Sequence, residues 1–238
     1  MYTQKDYEKL IEAVSQIKLL EGKNNAMGNY KNAALICIDA VLSINRKYYS
    51  FVVPRIKRIQ ESYPEINSLT KLQELIKQSS IEGFSKIWNY NHPQRIKTLS
   101  NLVDRLIYCC DIKGYDNTKT ELEKLQMWAK MVKVYDYDTF NVQGIGIATY
   151  QYIRMMLGAK TVKPDVYIKR YINSVLNKKL NEKDLIDIFE RACHSNNIDV
   201  SQADHSLWKQ NARDVDVQYL WENDKWISRE VVKWKLLA

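Results

Sequence analysis

Residues 31–44 are apolar almost all the way round. Ala33, Ala34, Leu35, Ile36, Cys37, Ile38, Ala40, Val41 and Leu42 leave no broad polar stripe for water. A helix of that kind must lie at the centre of a fold, covered on every side. The cover has to be helical too, because the flanking sequence repeats its apolar residues every three to four positions. Thr3 can cap a first helix through Tyr7, Leu10, Ile11, Val14 and Ile17, stopped at Gly22. After a basic, aromatic turn at 45–49, a helix to about Ser62 tolerates Pro54 only in its first turn. Further helices fit 68–78, 81–89, Pro93 to about Cys110, and the stretch marked by Leu122, Leu125, Trp128, Ala129 and Val132. Gly114 to Thr118 reads as a loop, and the chain continues helical from about 147 to 157, 166 to 176, after Asn181, over 201–211 and over roughly 225–236. Seven Gly and four Pro in 238 residues are too few for the tight turns of an all-β chain, and no strand of alternating pattern is found. The expected fold class is all-α.

Four cysteines, two of them adjacent (Cys109 and Cys110), contain no Cys-x-x-Cys pair, and only three His accompany them. That composition gives no support to a cysteine zinc site, a four-cysteine cluster or a disulfide framework. The thiols read as small buried hydrophobes in a reducing cytoplasm. No apolar run approaches the roughly 20 residues that a bilayer requires, and the first residues lack the apolar core of a secretory signal.

The net charge of +8 is concentrated. Residues 44–60 hold five bases (Arg46, Lys47, Arg55, Lys57, Arg58) and no acid, and residues 154–183 hold eight bases against Asp165 and Glu182. Together these stretches carry +11, and the other 191 residues carry −3. Localised basicity suits a polyanion-binding face and equally suits lysine-covered, solvated helix faces.

The segment Val142-Gln143-Gly144-Ile145-Gly146-Ile147-Ala148-Thr149 reads as a glycine turn opening a helix. Two glycines one residue apart permit a tight turn and close approach of another surface, and the unpaired N–H groups of the helix favour an anion. The turn alone equally describes a short loop joining two packed helices. One helix later comes Pro164-Asp165-Val166-Tyr167-Ile168-Lys169-Arg170.

Taken together, the two segments resemble the helix-hairpin-helix superfamily of base-excision DNA glycosylases that includes endonuclease III. The family pattern is a Leu-Pro-Gly-Val/Ile-Gly hairpin, a Thr three residues after its second Gly, and an Asp-x-His-Val/Ile-x-Arg segment one helix later. Gly144, Gly146, Thr149, Asp165, Ile168 and Arg170 match it position by position. Upstream, Leu42-Ser43-Ile44-Asn45 resembles the family's Leu-Ser-x-Gln; Asn45 then stands where relatives fill the gap left by an extruded base, or simply ends a helix. Asp204-x-x-Leu207-Trp208 resembles a late helix of some members. Departures are informative. Gln143 replaces the hairpin Pro and Tyr167 the His, and Ala148 stands where strand-cutting members carry a nucleophilic Lys. The family's four-cysteine cluster is missing.

The resemblance implies two helical lobes: a six-helix-barrel-like lobe over 28–157 carrying the hairpin, and a second over 1–27 plus 158–238 carrying Asp165. It implies a monomeric, monofunctional glycosylase that flips a damaged or modified base from double-stranded DNA and hydrolyses its N-glycosidic bond. The alternative is a helix-hairpin-helix DNA-binding protein without chemistry. Asp165 would be the catalytic carboxylate, or only a helix cap. DNA contacts would come from Gly144, Ile145, Gly146, Thr149, Asn45, Arg46, Lys47, Lys163, Lys169 and Arg170. Tyr48, Tyr49, Tyr167 and Trp208 are candidates for the base pocket, each also readable as structural. Lys160 or Lys163 could reach the sugar, but nothing in the sequence assigns either to it. No metal or cofactor is implied beyond a monovalent cation at the hairpin backbone.

Overall fold

The computed structural model describes residues 1–20, 30–112, 117–211, 219–222 and 225–228. Twelve α-helices follow one another over these residues: α1 Gln4–Ser15, α2 Ala33–Leu42, α3 Val53–Ser62, α4 Leu69–Gln78, α5 Ile81–Ile87, α6 Pro93–Ile112, α7 Glu121–Met131, α8 Tyr137–Phe140, α9 Ile147–Met156, α10 Val166–Leu176, α11 Glu182–Ser195 and α12 Val200–Asn211. The fold is all-α, as the periodicity requires. No described helix is long and apolar enough to cross a membrane.

Local chemistry sets the helix starts. Thr3 and Asp6 form a capping box at α1, and Thr120 and Glu123 form another at α7. Such reciprocal bonds satisfy N–H groups that the helix itself cannot. Asn32, Ser68, Ser80 and Asn181 cap α2, α4, α5 and α11 through their side chains. Helix α1 ends at Ser15, two residues short of Ile17, and the expected stop at Gly22 lies outside the described residues.

Two departures from the sequence reading concern regular structure. Residues 225–228 are not helical: Tyr219–Glu222 (β1) and Lys225–Ser228 (β2) pair antiparallel, Leu220 opposite Ile227, while 229–238 lie outside the described residues. The segment Tyr219-Leu220-Trp221 followed by Trp226-Ile227 is rich in β-favouring residues, and a two-strand ribbon this short carries too little alternation to read from sequence. The chain before α3 also winds as a single wide turn over Tyr48–Val52, with no side-chain cap.

All ten residues of α2 are buried, so this helix is the axis of the larger hydrophobic cluster. That cluster runs from Tyr30 to Ala159 and gathers residues of α3, α4, α6, α7 and part of α9. A second cluster joins Leu10 and Val14 of α1 to Val162 and the apolar faces of α10, α11 and α12. Val134 and Ile147 come from the middle of the chain but pack in this second cluster. Ile145 belongs to the first cluster and Ile147 to the second, so the glycine turn lies where the two cores meet.

Candidate functional site

The turn at 142–146 is set by Gly144, whose φ of +87° is strained for any residue with a β-carbon. Thr98 of α6, itself buried, crowds the same point: a β-carbon on Gly144 would collide with its hydroxyl oxygen. Gly146 is different. Its backbone is ordinary, and a β-carbon there would meet nothing within 4 Å. The molecule's own packing therefore has no need of glycine at 146.

Helix α9 starts at Gly146 without any side-chain cap. Among the described residues nothing accepts from the N–H groups of Gly146, Ile147 and Ala148. The side chains of Ile145 and Thr149 are buried, and the Ile145 N–H already donates to Val142 O at 3.0 Å. What the turn offers outward is backbone and the exposed Gln143 side chain. A shallow cleft of about 470 Å³ runs along its outer edge, between Asn101, Arg105 and Tyr108 of α6 and Asn141 and Gln143; neither Asp165 nor its neighbours line it.

Asp165 is the N-cap of α10. Its Oδ1 accepts from the backbone N–H of Tyr167 at 2.8 Å and of Ile168 at 3.1 Å. Its Oδ2 has no hydrogen-bond partner among the described residues. One carboxylate oxygen thus fixes the helix start and the other is left over. Ile168, one turn into α10, shares its hydrophobic cluster with Ile147, the first residue of α9. The starts of these two helices are packed into a common core.

The loop that delivers Asp165 is held along its length. Thr161 is fully buried and bonded to Gln151 and Glu190. The Lys163 N–H donates to Asp204 Oδ1 at 3.0 Å, and the Asp165 N–H donates to Lys163 O at 2.7 Å. The Lys163 ammonium lies 4.0 Å from the centre of the Tyr152 ring and makes no ion pair with a described carboxylate. Burial lowers its pKa, against the attraction of Asp165, Asp204 and Asp39. Burial and the nearby Asp165 push the Asp204 carboxyl up to about 8. Lys160, by contrast, is exposed and faces Asp199 at 3.6 Å.

Beneath Lys163 is a network that the sequence reading passed over. Asp39, fully buried in the middle of α2, accepts from the hydroxyls of Tyr30 (2.6 Å), Tyr48 (2.9 Å), Ser43 (2.9 Å) and Tyr152 (2.9 Å). Burial raises its pKa while those donors oppose the rise. A single acid inside an all-apolar helix was the visible signal, since a buried charge must find partners. Asp39 thereby ties α2 and the 48–52 turn to Tyr152, whose ring carries Lys163.

The other candidates are dispersed in the fold. Asn45 is exposed, in the left-handed conformation (φ 55°) just past α2. Arg46 and Lys47 beside it are exposed, and Arg170 is exposed. Lys169 is drawn into an ion pair with Glu182. Tyr48, Tyr49 and Trp208 come together: Tyr48 meets Tyr49 edge-on at 5.5 Å, and Tyr49 lies 5.9 Å from Trp208. His205 stacks on Trp208 at 6.1 Å, and burial lowers its pKa to about 4. Tyr167 has no described ring contact with this group. No group of three or more His, Cys, Asp or Glu among the described residues is arranged to hold a metal ion.

No curated protein and no solved structure matches this chain. One family model does, over residues 8–212, which takes in both helix starts, the Asp39 network and the loop carrying Lys163 and Asp165: the chain belongs to the family described as Domain of unknown function (DUF8548).

Proposed function

We propose that the protein is a DNA glycosylase that extrudes a damaged or modified base from duplex DNA and hydrolyses its N-glycosidic bond. The observation that carries this reading is the divided use of Asp165, with one oxygen bound to the α10 backbone and the other unbonded. Cleavage of an N-glycosidic bond leaves positive charge on the deoxyribose. A fixed carboxylate oxygen stabilises that charge and orients the attacking water. The uncapped start of α9 and the open space at Gly146 support a phosphate contact at the turn. Asn45, Arg46 and Lys47 project from an exposed turn that Tyr48 anchors to Asp39. Trp208, half-buried and 5.9 Å from the buried Tyr49 ring, is the aromatic candidate for contact with an extruded base.

In this reading the enzyme has no strand-cutting step, because Ala148 offers no amine at the turn. Borohydride treatment on an abasic duplex tests that point: no covalent adduct is expected, and one that disappears in Lys163→Met would assign a lyase step to Lys163. The main test is incubation with a panel of damaged and modified duplexes followed by alkali. Base loss at one class of lesion supports the glycosylase. Tight duplex binding with no abasic product from any lesion supports a protein that binds DNA without chemistry.

A further inference from the structure

The acid-free stretch at 44–60 does not stand alone. Residues 40–60 and 83–103 both lack Asp and Glu, and together they hold eight bases: Arg46, Lys47, Arg55, Lys57, Arg58, Lys86, Arg95 and Lys97. The fold brings the two segments together around an edge-to-face pair of rings, Phe51 and Tyr90, 5.0 Å apart. The Arg55 guanidinium lies 3.6 Å from the Phe51 ring centre, and that of Arg46 lies 5.4 Å from Phe51 and 5.6 Å from Tyr90.

Each arginine is also held by polar contacts. Arg46 donates to Asn45 O and to the Tyr90 hydroxyl, and Arg55 to Phe51 O and Asn89 O. Arg95 donates to Ile44 O, and Arg58 makes a longer contact with Ile87 O. None has a carboxylate partner among the described residues; the neighbouring acids Glu61 and Glu82 pair with Lys57 and Lys86. The pKa values of Arg55 and Arg95 are lowered, first by burial and then by Arg46. Carbonyls at the C-terminal ends of α2 and α5 offset part of the repulsion. A guanidinium has five N–H donors, and the described contacts occupy at most two on each. The result is a group of like charges held by ring and carbonyl contacts, with donors to spare and no carboxylate partner among the described residues.

We propose that Arg46, Arg55, Arg58 and Arg95 form a phosphodiester-binding platform, a second grip on a nucleic-acid backbone besides the hairpin. Arg46 and Arg55 are held against ring faces, and Arg58 and Arg95 by backbone carbonyls, which leaves guanidinium donors placed for phosphate oxygens. The platform also fixes the exposed Asn45 turn, since Arg95 and Arg46 hold the carbonyls of Ile44 and Asn45. This assignment is independent of any chemistry at Asp165.

The test is fluorescence anisotropy with a labelled 20-base-pair duplex and with one of its strands, across a potassium chloride series. Arg46 and Arg58 are exposed, so the Arg46→Gln/Arg58→Gln double variant leaves the packed Arg55 in place. With about 0.9 of log–log salt slope per duplex phosphate contact, the variant should lose between about 1 and 2 units of slope. At 0.1 M salt it should bind at least about tenfold more weakly, while its circular dichroism matches the parent. Arg46→Lys/Arg58→Lys should keep most of the slope. A larger effect on the duplex places duplex backbone on the platform, and a larger effect on the strand places single-stranded backbone there. Unchanged slope and affinity for both probes in a folded double variant would overturn the proposal, as would no binding of either probe by the parent at 20 mM salt. A parent that shows the platform effect but excises no base leaves the platform standing and removes the glycosylase reading alone.

Discussion

Gly144 is pressed against Thr98 so closely that a β-carbon on the glycine would collide with the threonine hydroxyl oxygen and stand 3.0 Å from its methyl. Two residues further on, Gly146 faces open space. The glycines that look alike in sequence therefore answer to different demands, and substitution separates them. Gly144→Ala combines the collision with a positive φ and should cost about 1–3 kcal/mol of stability, read as a lowered Tm. Gly146→Ala should leave Tm within about 1 °C of the parent or raise it slightly, because it limits the unfolded chain. It should nonetheless weaken duplex binding severalfold, because its methyl would occupy the space of the proposed phosphate contact. A Gly146→Ala protein that binds duplex like the parent would deny the turn any role in DNA contact.

The Asp39 network should prove structural. Asp39→Ala leaves the hydroxyls of Tyr30, Tyr48 and Tyr152 buried without their acceptor, for a loss of about 2–4 kcal/mol in denaturant unfolding. Tyr152→Phe removes one donor and should cost about 1 kcal/mol. A loss below about 1 kcal/mol for Asp39→Ala would show that the network is not load on the fold.

Asp204 should make stability depend on pH. Burial, with Asp165 nearby, raises its pKa to about 8, whereas an unfolded Asp titrates near 4. Between these values the folded chain holds the proton and the unfolded chain has released it, so this residue's contribution to stability declines as pH rises from about 4 to 8. Asp204→Asn keeps an acceptor for the Lys163 N–H and removes the titration. Its Tm should stay near the parent's at pH 4.5 and exceed it at pH 8.5. Parallel melting curves at the two pH values would contradict the assignment.

Much of this was legible in the chain, for identifiable reasons. Helix starts at Thr3, Asn181 and Asp165 were readable because capping is local chemistry. The burial of Ala33–Leu42 followed from the absence of a polar face. The Gly144 turn and Asp165 stood out only together, through their resemblance to a family pattern. Other features depend on contacts between distant segments. Asp39 finds Tyr152, 113 residues away, and Tyr90 finds Arg46, 44 residues away, pairings that no local pattern encodes. The acid-free segment 83–103 holds only three bases, so its charge gains meaning when α6 places Arg95 beside the Asn45 turn. Ile145 and Thr149 match the hairpin pattern as candidate contacts, yet their side chains face inward.

The proposed chemistry depends most on the unbonded oxygen of Asp165, and Asp165→Asn isolates it. Asparagine caps a helix as well as aspartate does, so the variant should keep the bonds to Tyr167 and Ile168, the parent's Tm and the parent's affinity for duplex. The decisive measurement is alkali-sensitive abasic-site formation by the two proteins on the lesion that the parent excises. Asp165→Asn should lose at least about 100-fold in excision at unchanged binding; excision at the parental rate by a folded Asp165→Asn protein would rule out a catalytic role for that oxygen.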